Sequence, residues 1–305
     1  MIFFSKKIIY YLNKSLKMSK LSIITSFAGL WLTSYLSDTN QLIFGFILIF
    51  TFGILHGAND LVLINQIENT KKMAFLRIIS FYILIVLSSV VLFTLLPSLA
   101  LLLFLLVSGY HFGEQHWESL IEDTSKYRKP FELLYGLFIL SLLLFFNVNE
   151  VTKIIFEITG IQLITLTYKV FLIATGVLLV LFSYLMTKKH VDFKNNIIEQ
   201  LFYLVLLCVI FKSSSLIWGF TIYFIFWHSI PSLNDQITFL YGKYSFHNFK
   251  QYFKTAFLYW LLSLVGITLL YYVAKDLVVF DALFFSFLAS ITFPHAFVIL
   301  KMFRK

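Results

Sequence analysis

From residue 22 onward, apolar stretches follow one another with only short polar breaks. Cutting the chain at polar clusters and prolines predicts ten spans, over 22–37, 41–64, 76–96, 98–117, 131–147, 168–186, 197–211, 215–233, 255–274 and 279–300. Each approaches the roughly 20 apolar residues that cross a hydrocarbon core, where a helix satisfies its own backbone polar groups. The first and seventh spans are short and Pro97 alone divides the third from the fourth, which sets the count between eight and ten. The pattern predicts an all-α, polytopic integral membrane helical bundle.

Composition leaves little room for anything else. Of 305 residues, 60% are hydrophobic and 13% charged, against roughly 25% charged in soluble domains. The chain divides into a basic segment over 1–21, interfacial in character, and a single transmembrane domain over 22–305. The basic start resembles the first part of a signal peptide, but no small-residue cleavage site follows it. Cys208 is alone in an apolar run, which excludes a disulfide framework and a thiolate metal cluster.

Charge supports the threading. With the amino terminus inside, 20 of the 24 Lys and Arg residues fall in inner segments, and only Lys153, Lys169, Lys212 and Lys275 fall outside. This alternation is the positive-inside pattern, and losing one span would scramble it. It predicts a multi-pass protein of the cell (inner) membrane with both termini cytoplasmic. The net charge of +9 therefore reports topology. A nucleic-acid partner is not expected, because no basic run is interleaved with surface aromatics.

Five of the seven histidines lie inside spans: His56, His111, His116, His228 and His295. His190 and His247 fall in inner loops among lysines, where solvated polar residues are expected. The four spans that carry the five all run from outside to inside, and each histidine sits in the inner half or at the inner end. Ionisable side chains in lipid are costly and usually face a bundle interior. Four helices can thus bring imidazoles to one depth, as metal ligands or as a proton path. Gly53 and Gly57 flank His56, and Gly109 and Gly113 flank His111; small residues four apart let helices approach closely, though plain packing accounts for them as well. Pro231 and Pro294 each free a backbone carbonyl one turn upstream and bend a helix.

Acids accompany the histidines. Asp60 is four residues after His56 and Glu114 three after His111. Metal-bound imidazoles usually give their other N–H to a carboxylate or carbonyl, so Asp60, Glu114 and Asp235 are candidates to orient ligands; Asp60 and Asp235 lie near the inner interface and solvation would explain them too. Imidazole donors suit Fe, Zn, Cu or Ni. With no thiolate and no obligatory carboxylate, an all-histidine non-haem iron site is plausible, and its substrate would be lipophilic. The 37 Phe and 17 Tyr include rings within a turn or two of the histidines that could line an apolar tunnel, although lipid contact and core packing explain most of them.

The blocks "FGILHGANDLVL", "GYHFGEQHW", "FWHSIPSLND" and "FPHAFVIL" resemble, in order and spacing, the motif blocks of the Brp/Blh family of membrane β-carotene 15,15′-dioxygenases. The resemblance spans residues 52 to 300. It implies cleavage of the central double bond of β-carotene, or a related carotenoid, with O₂ at a histidine-held Fe(2+), giving two all-trans-retinal molecules, with membrane lipid as surroundings and a retinal-binding rhodopsin as product acceptor. On this alignment His56, His111 and His228 match family histidines and Asp60 the family acid. The chain departs where the family has a second histidine four residues after the third: here that position is Ser232. His295 is the choice for fourth ligand, with His116 in reserve, and residues 22–305 then form the catalytic domain. Tyr110, Phe112, Trp117 and Trp227 neighbour the ligands and are candidates to line the substrate site.

Other readings stand beside this one. Lipid desaturases and hydroxylases carry dense histidine boxes that this chain lacks. A transporter or proton path would use the histidines and Asp60 as a relay, but the hydropathy carries no inverted repeat. A family member with a changed or lost carotenoid substrate is kept open by Ser232.

Overall fold

The computed structural model describes residues 19–68, 72–118, 120, 125–188, 191–274 and 280–303. The basic segment expected over 1–21 lies outside the described residues as far as residue 18, as does His190. The described elements are helices: α1 (19–33), α2 (Asp38–Glu68), α3 (Lys72–Leu95), α4 (Pro97–Trp117), α5 (Arg128–Phe146), α6 (Val148–Thr159), α7 (Thr165–Thr187), α8 (Val191–Ser213), α9 (Leu216–Tyr241), α10 (Phe246–Ala274) and α11 (Phe280–Phe303). No strand occurs among the described residues. Nine of these helices are long and apolar enough to cross a membrane. The chain is an all-α polytopic membrane protein.

The first expected span, 22–37, is represented among the described residues by α1, which ends at residue 33. There Ser37 takes over: its hydroxyl accepts from the backbone N–H of Asn40 and caps α2. Pro97 does divide α3 from α4, standing at the first helical position where a missing N–H costs nothing. The hydropathy does not announce α6. It is short and amphipathic, with Val151 buried and Glu150, Lys153 and Glu157 interspersed, and it stops at Gly160, whose φ of +70° suits glycine.

Two of the long helices depart from α geometry. A π-helical stretch occupies Ile49–Gly53 in α2, and another occupies Phe224–Ser229 in α9. Such stretches are rare and frequently accompany functional sites. Exposure sorts the spans: the window in α9 is 78% buried and that in α3 only 6%, and α3 packs along the single face that carries Ile78, Tyr82, Ile85 and Ser89.

The chain forms two compact units. The first comprises residues 1–49, 109–148 and 165–231, and the second residues 50–108, 149–164 and 232–305. Within the first, glycines lock the end of α4 onto α5. A Cβ on Gly113 would lie 1.8 Å from the carbonyl oxygen of Glu132, and one on Gly136 would lie 1.9 Å from that of Gly109. Trp117, Phe131, Tyr135 and Phe193 pack edge and face beside this crossing, and Gln41 accepts from the backbone N–H of Ser215 at 3.0 Å to join α2 to α9. Within the second, Leu63, Ile64 and Ile67 of α2 pack on Val298, Ile299 and Met302 of α11, and Leu55, Leu233 and Ile237 pack on Tyr252 and Ala256 of α10.

The α4–α5 crossing yields a contrast. Gly113→Ala and Gly136→Ala force backbone apart and should each cost about 3 kcal/mol or more, at or beyond the top of the usual overpacking range. Gly160→Ala, in open space, should cost about 1–2 kcal/mol from its left-handed backbone alone. Thermal denaturation in detergent checks the order; a Gly113→Ala protein that melts with the wild type would refute the interlock.

Candidate metal-ligating residues

In the second unit, His56 follows the π-helical stretch of α2. That stretch displaces carbonyls from the regular ladder, and side chains meet them: Trp260 donates to the Phe50 oxygen at 2.9 Å, and His56 Nδ1 lies 2.5 Å from the Gly53 oxygen. A carbonyl only accepts, so Nδ1 carries the proton and Nε2 the lone pair. The backbone around His56 is held by a buried polar net. Asn59 donates to the Tyr252 carbonyl at 3.0 Å, the Tyr252 hydroxyl donates to Gln236 Oε1 at 2.7 Å and lies 3.2 Å from the His56 oxygen, and Gln236 Nε2 donates to Ser232 Oγ at 3.0 Å. Ser232 is thus a buried member of this net.

His295 comes from α11 and meets His56 edge-on, with ring centroids 4.7 Å apart at 88°, above Gly57. Its Nδ1 lies 2.8 Å from Asp60 Oδ1, and Tyr82 donates to Asp60 Oδ2 at 3.0 Å. Asp60 is 2% exposed, so it is not a solvated acid of the interface. The imidazole it engages is that of His295 rather than that of His56, four residues before it in sequence. Donation from Nδ1 again leaves the lone pair on Nε2.

In the first unit, His111 of α4 and His228 of α9 form a second edge-on pair, with centroids 4.7 Å apart at 80°. Gly109 and Gly113, on either side of His111, seat α4 against α5; they set the depth of the histidine through that crossing. His228 lies within the π-helical stretch. Gln115 donates to its carbonyl at 3.1 Å, and Ser229 Oγ donates to the Phe224 oxygen five residues back at 2.8 Å. Pro231, which has no N–H to give, stands two residues beyond the stretch. Phe112 packs edge-on against His228 at 4.7 Å and Phe224 stacks on it at 5.6 Å. All four histidines are at most 4% exposed.

The remaining candidates lie elsewhere in these nets. His116 places Nε2 2.6 Å from Gln200 Oε1 and 3.2 Å from the Tyr135 hydroxyl, and its ring stacks on Tyr135. Glu114 is buried and accepts from Tyr110 at 3.1 Å. Trp117 belongs to the aromatic cluster with Phe131, Tyr135 and Phe193. Trp227 is buried and donates from Nε1 to Ser26 at 2.7 Å. Asp235 is half-buried beside Gln236. Tyr82, Tyr252, Gln236 and Gln115 emerge only here; Gln115 stands within the histidine-rich block, while nothing in the sequence marks Tyr82 or Tyr252 among 17 tyrosines.

Each unit offers one buried pair of imidazoles, and in the second unit oxygen acceptors on Nδ1 orient both rings. That donor set suits a divalent first-row metal. Residues 47–303 match the family model described as beta-carotene 15,15′-dioxygenase. No curated protein and no solved structure is a significant match.

The Asp60 pairings predict an ordered loss of stability. Asp60→Ala strips a charged partner from buried His295 and Tyr82 and should cost about 2–3 kcal/mol, whereas Tyr82→Phe removes a single donor and should cost about 1 kcal/mol. Thermal denaturation of the two variants in detergent measures this. Equal stability of Asp60→Ala and wild type would show that the carboxylate holds neither group.

Proposed function

Since the chain belongs to the beta-carotene 15,15′-dioxygenase family, we propose that it cleaves β-carotene at the central double bond, at a ferrous ion held by His56, His111, His228 and His295. The observation that carries the reading is the family match over residues 47–303. The two buried histidine pairs support the ligand set, and His295 takes the place left open by Ser232. In this reading residues 22–305 act as one catalytic domain in the cell membrane, with the termini and the ligands toward the cytoplasmic side.

The reaction adds both atoms of O₂ across one carbon–carbon double bond, so that a C40 hydrocarbon yields two C20 aldehydes with no other oxidant. Bound iron supplies the activation of O₂. The chain supplies the rest. Gly53 and Asp60 accept from Nδ1 of His56 and His295, which orients both rings and leaves Nε2 as the ligating atom. Tyr252 and Gln236 keep the backbone at His56 in register. A polyene offers no polar handle, so its placement depends on apolar walls, and Phe112, Trp227, Tyr110 and Trp117 are proposed to contribute them. Those walls would fix which double bond lies beside the histidines that would hold the metal. Glu114 and Asp235 are assigned supporting roles around the ligands, and His116 is held in reserve as a ligand.

Expression in a bacterium that makes β-carotene, scored by chromatography for retinal and by iron per purified chain, tests the proposal. His56→Ala and His111→Ala should lower retinal by more than roughly 100-fold and release iron, a larger effect than the 10–100-fold expected of Asp60→Asn, which only orients a ligand. Undiminished β-carotene beside abundant, membrane-inserted wild-type protein would sink the reaction for this substrate, and wild-type protein without iron would favour a proton path. Phe112→Ala and Trp227→Ala should raise KM several-fold or shift the cleavage position; unchanged kinetics and products would remove both from the substrate site.

A further inference from the structure

Within the second unit, the end of α2 together with α3 and α11 encloses a cavity of about 280 Å³. Its two ends differ chemically. Glu68, Arg77 and Lys301 stand together at one end, where α2 stops, α3 begins and α11 finishes. Phe81, Ile85, Pro294 and Phe297 wall the remainder. From Arg77 to Ile85 the helix advances about 12 Å, so the cavity is polar at its mouth and apolar along its depth.

Among the described residues at the mouth, one positive charge is in excess. Lys301 pairs with Glu68 at 2.7 Å and lies over the Phe297 ring at 5.0 Å, which commits both members of that pair. Arg77 is exposed, and among the described residues no carboxylate pairs with it. Along the walls, Phe81 is 55% and Phe297 42% exposed, so the cavity opens sideways between two membrane-crossing helices. Water has few partners in such a space, and an apolar chain fits it.

We propose that this cavity binds an anionic membrane phospholipid, with the phosphate on Arg77 and one acyl chain laid along Phe81, Ile85 and Phe297. A guanidinium meets a phosphate with two parallel N–H bonds, a geometry that a zwitterionic headgroup with its own neighbouring cation competes against. Tyr82 gives the site its connection to the histidines. Its ring is part of the cavity wall and its hydroxyl donates to Asp60, which holds His295. A lipid tail seated there packs against the ring that anchors this chain of hydrogen bonds.

The test is native mass spectrometry of the full-length protein in mild detergent, after exchange into nanodiscs of equal parts phosphatidylglycerol and phosphatidylcholine. The wild type should retain phosphatidylglycerol over phosphatidylcholine by roughly fivefold or more, as one basic contact supplies. Arg77→Gln should abolish the preference and Arg77→Lys should keep most of it. Ile85→Trp, which fills the apolar end and leaves the charge alone, should lower retention of both lipids, and it serves if Arg77→Gln fails to insert. Equal retention of the two lipids by the wild type, or full preference in Arg77→Gln, overturns the proposal. Displacement of phosphatidylglycerol by an equal concentration of oleate overturns the assignment to a phospholipid and gives the site to a free carboxylate.

Discussion

A carboxylate buried in a membrane-spanning helix has to be met by donors, and Asp60 is met by two. His295 Nδ1 engages one oxygen at 2.8 Å and the Tyr82 hydroxyl engages the other at 3.0 Å. The second unit is arranged around that constraint. It draws α11 onto α2, it sets the tautomer of one imidazole, and it leaves that ring edge-on to His56. Without Asp60, a buried imidazole and a buried phenol would lack their polar partner, a cost that apolar packing cannot offset.

The histidines also explain why two long helices abandon α geometry. Each π-helical stretch shifts carbonyls out of register, and each time side chains recover them: Trp260 and His56 on α2, Ser229 on α9, with Gln115 supporting the carbonyl of His228. In lipid an unmet carbonyl is expensive, so such a stretch persists only where tertiary partners are supplied. Both stretches adjoin or contain a candidate ligand. This links the irregular backbone to the placement of imidazoles, because a π-turn re-aims the side chains that follow it.

Ser232, where the family resemblance leads us to expect a histidine, is fixed by hydrogen bonding instead. It is buried and accepts from Gln236, which in turn accepts from Tyr252. The polar net steadies the backbone at His56 without offering an imidazole. His295, held by Asp60, is the residue this chain presents beside His56 instead.

Much of this protein was legible in its residues alone. Length of apolar run, the cost of charge in lipid and the inward bias of Lys and Arg act locally and additively, so they mark spans and single out His56, His111, His116, His228 and His295 without knowledge of neighbours. The four motif blocks carried the family for the same reason, since spacing along a helix is a property of the chain. What lay beyond that reach was pairing. Asp60 sits four residues after His56, and a helical face predicts that the two belong together, yet the carboxylate holds His295, 235 residues away. Gly109 and Gly113 read as a close-approach motif, but only the crossing with α5, where Gly136 answers them, identifies the helix approached. Tyr82, one tyrosine among 17, has no local mark at all. Tertiary structure decided these points because hydrogen bonds and backbone contacts are satisfied in space by whichever group arrives, and sequence distance places no limit on the partner.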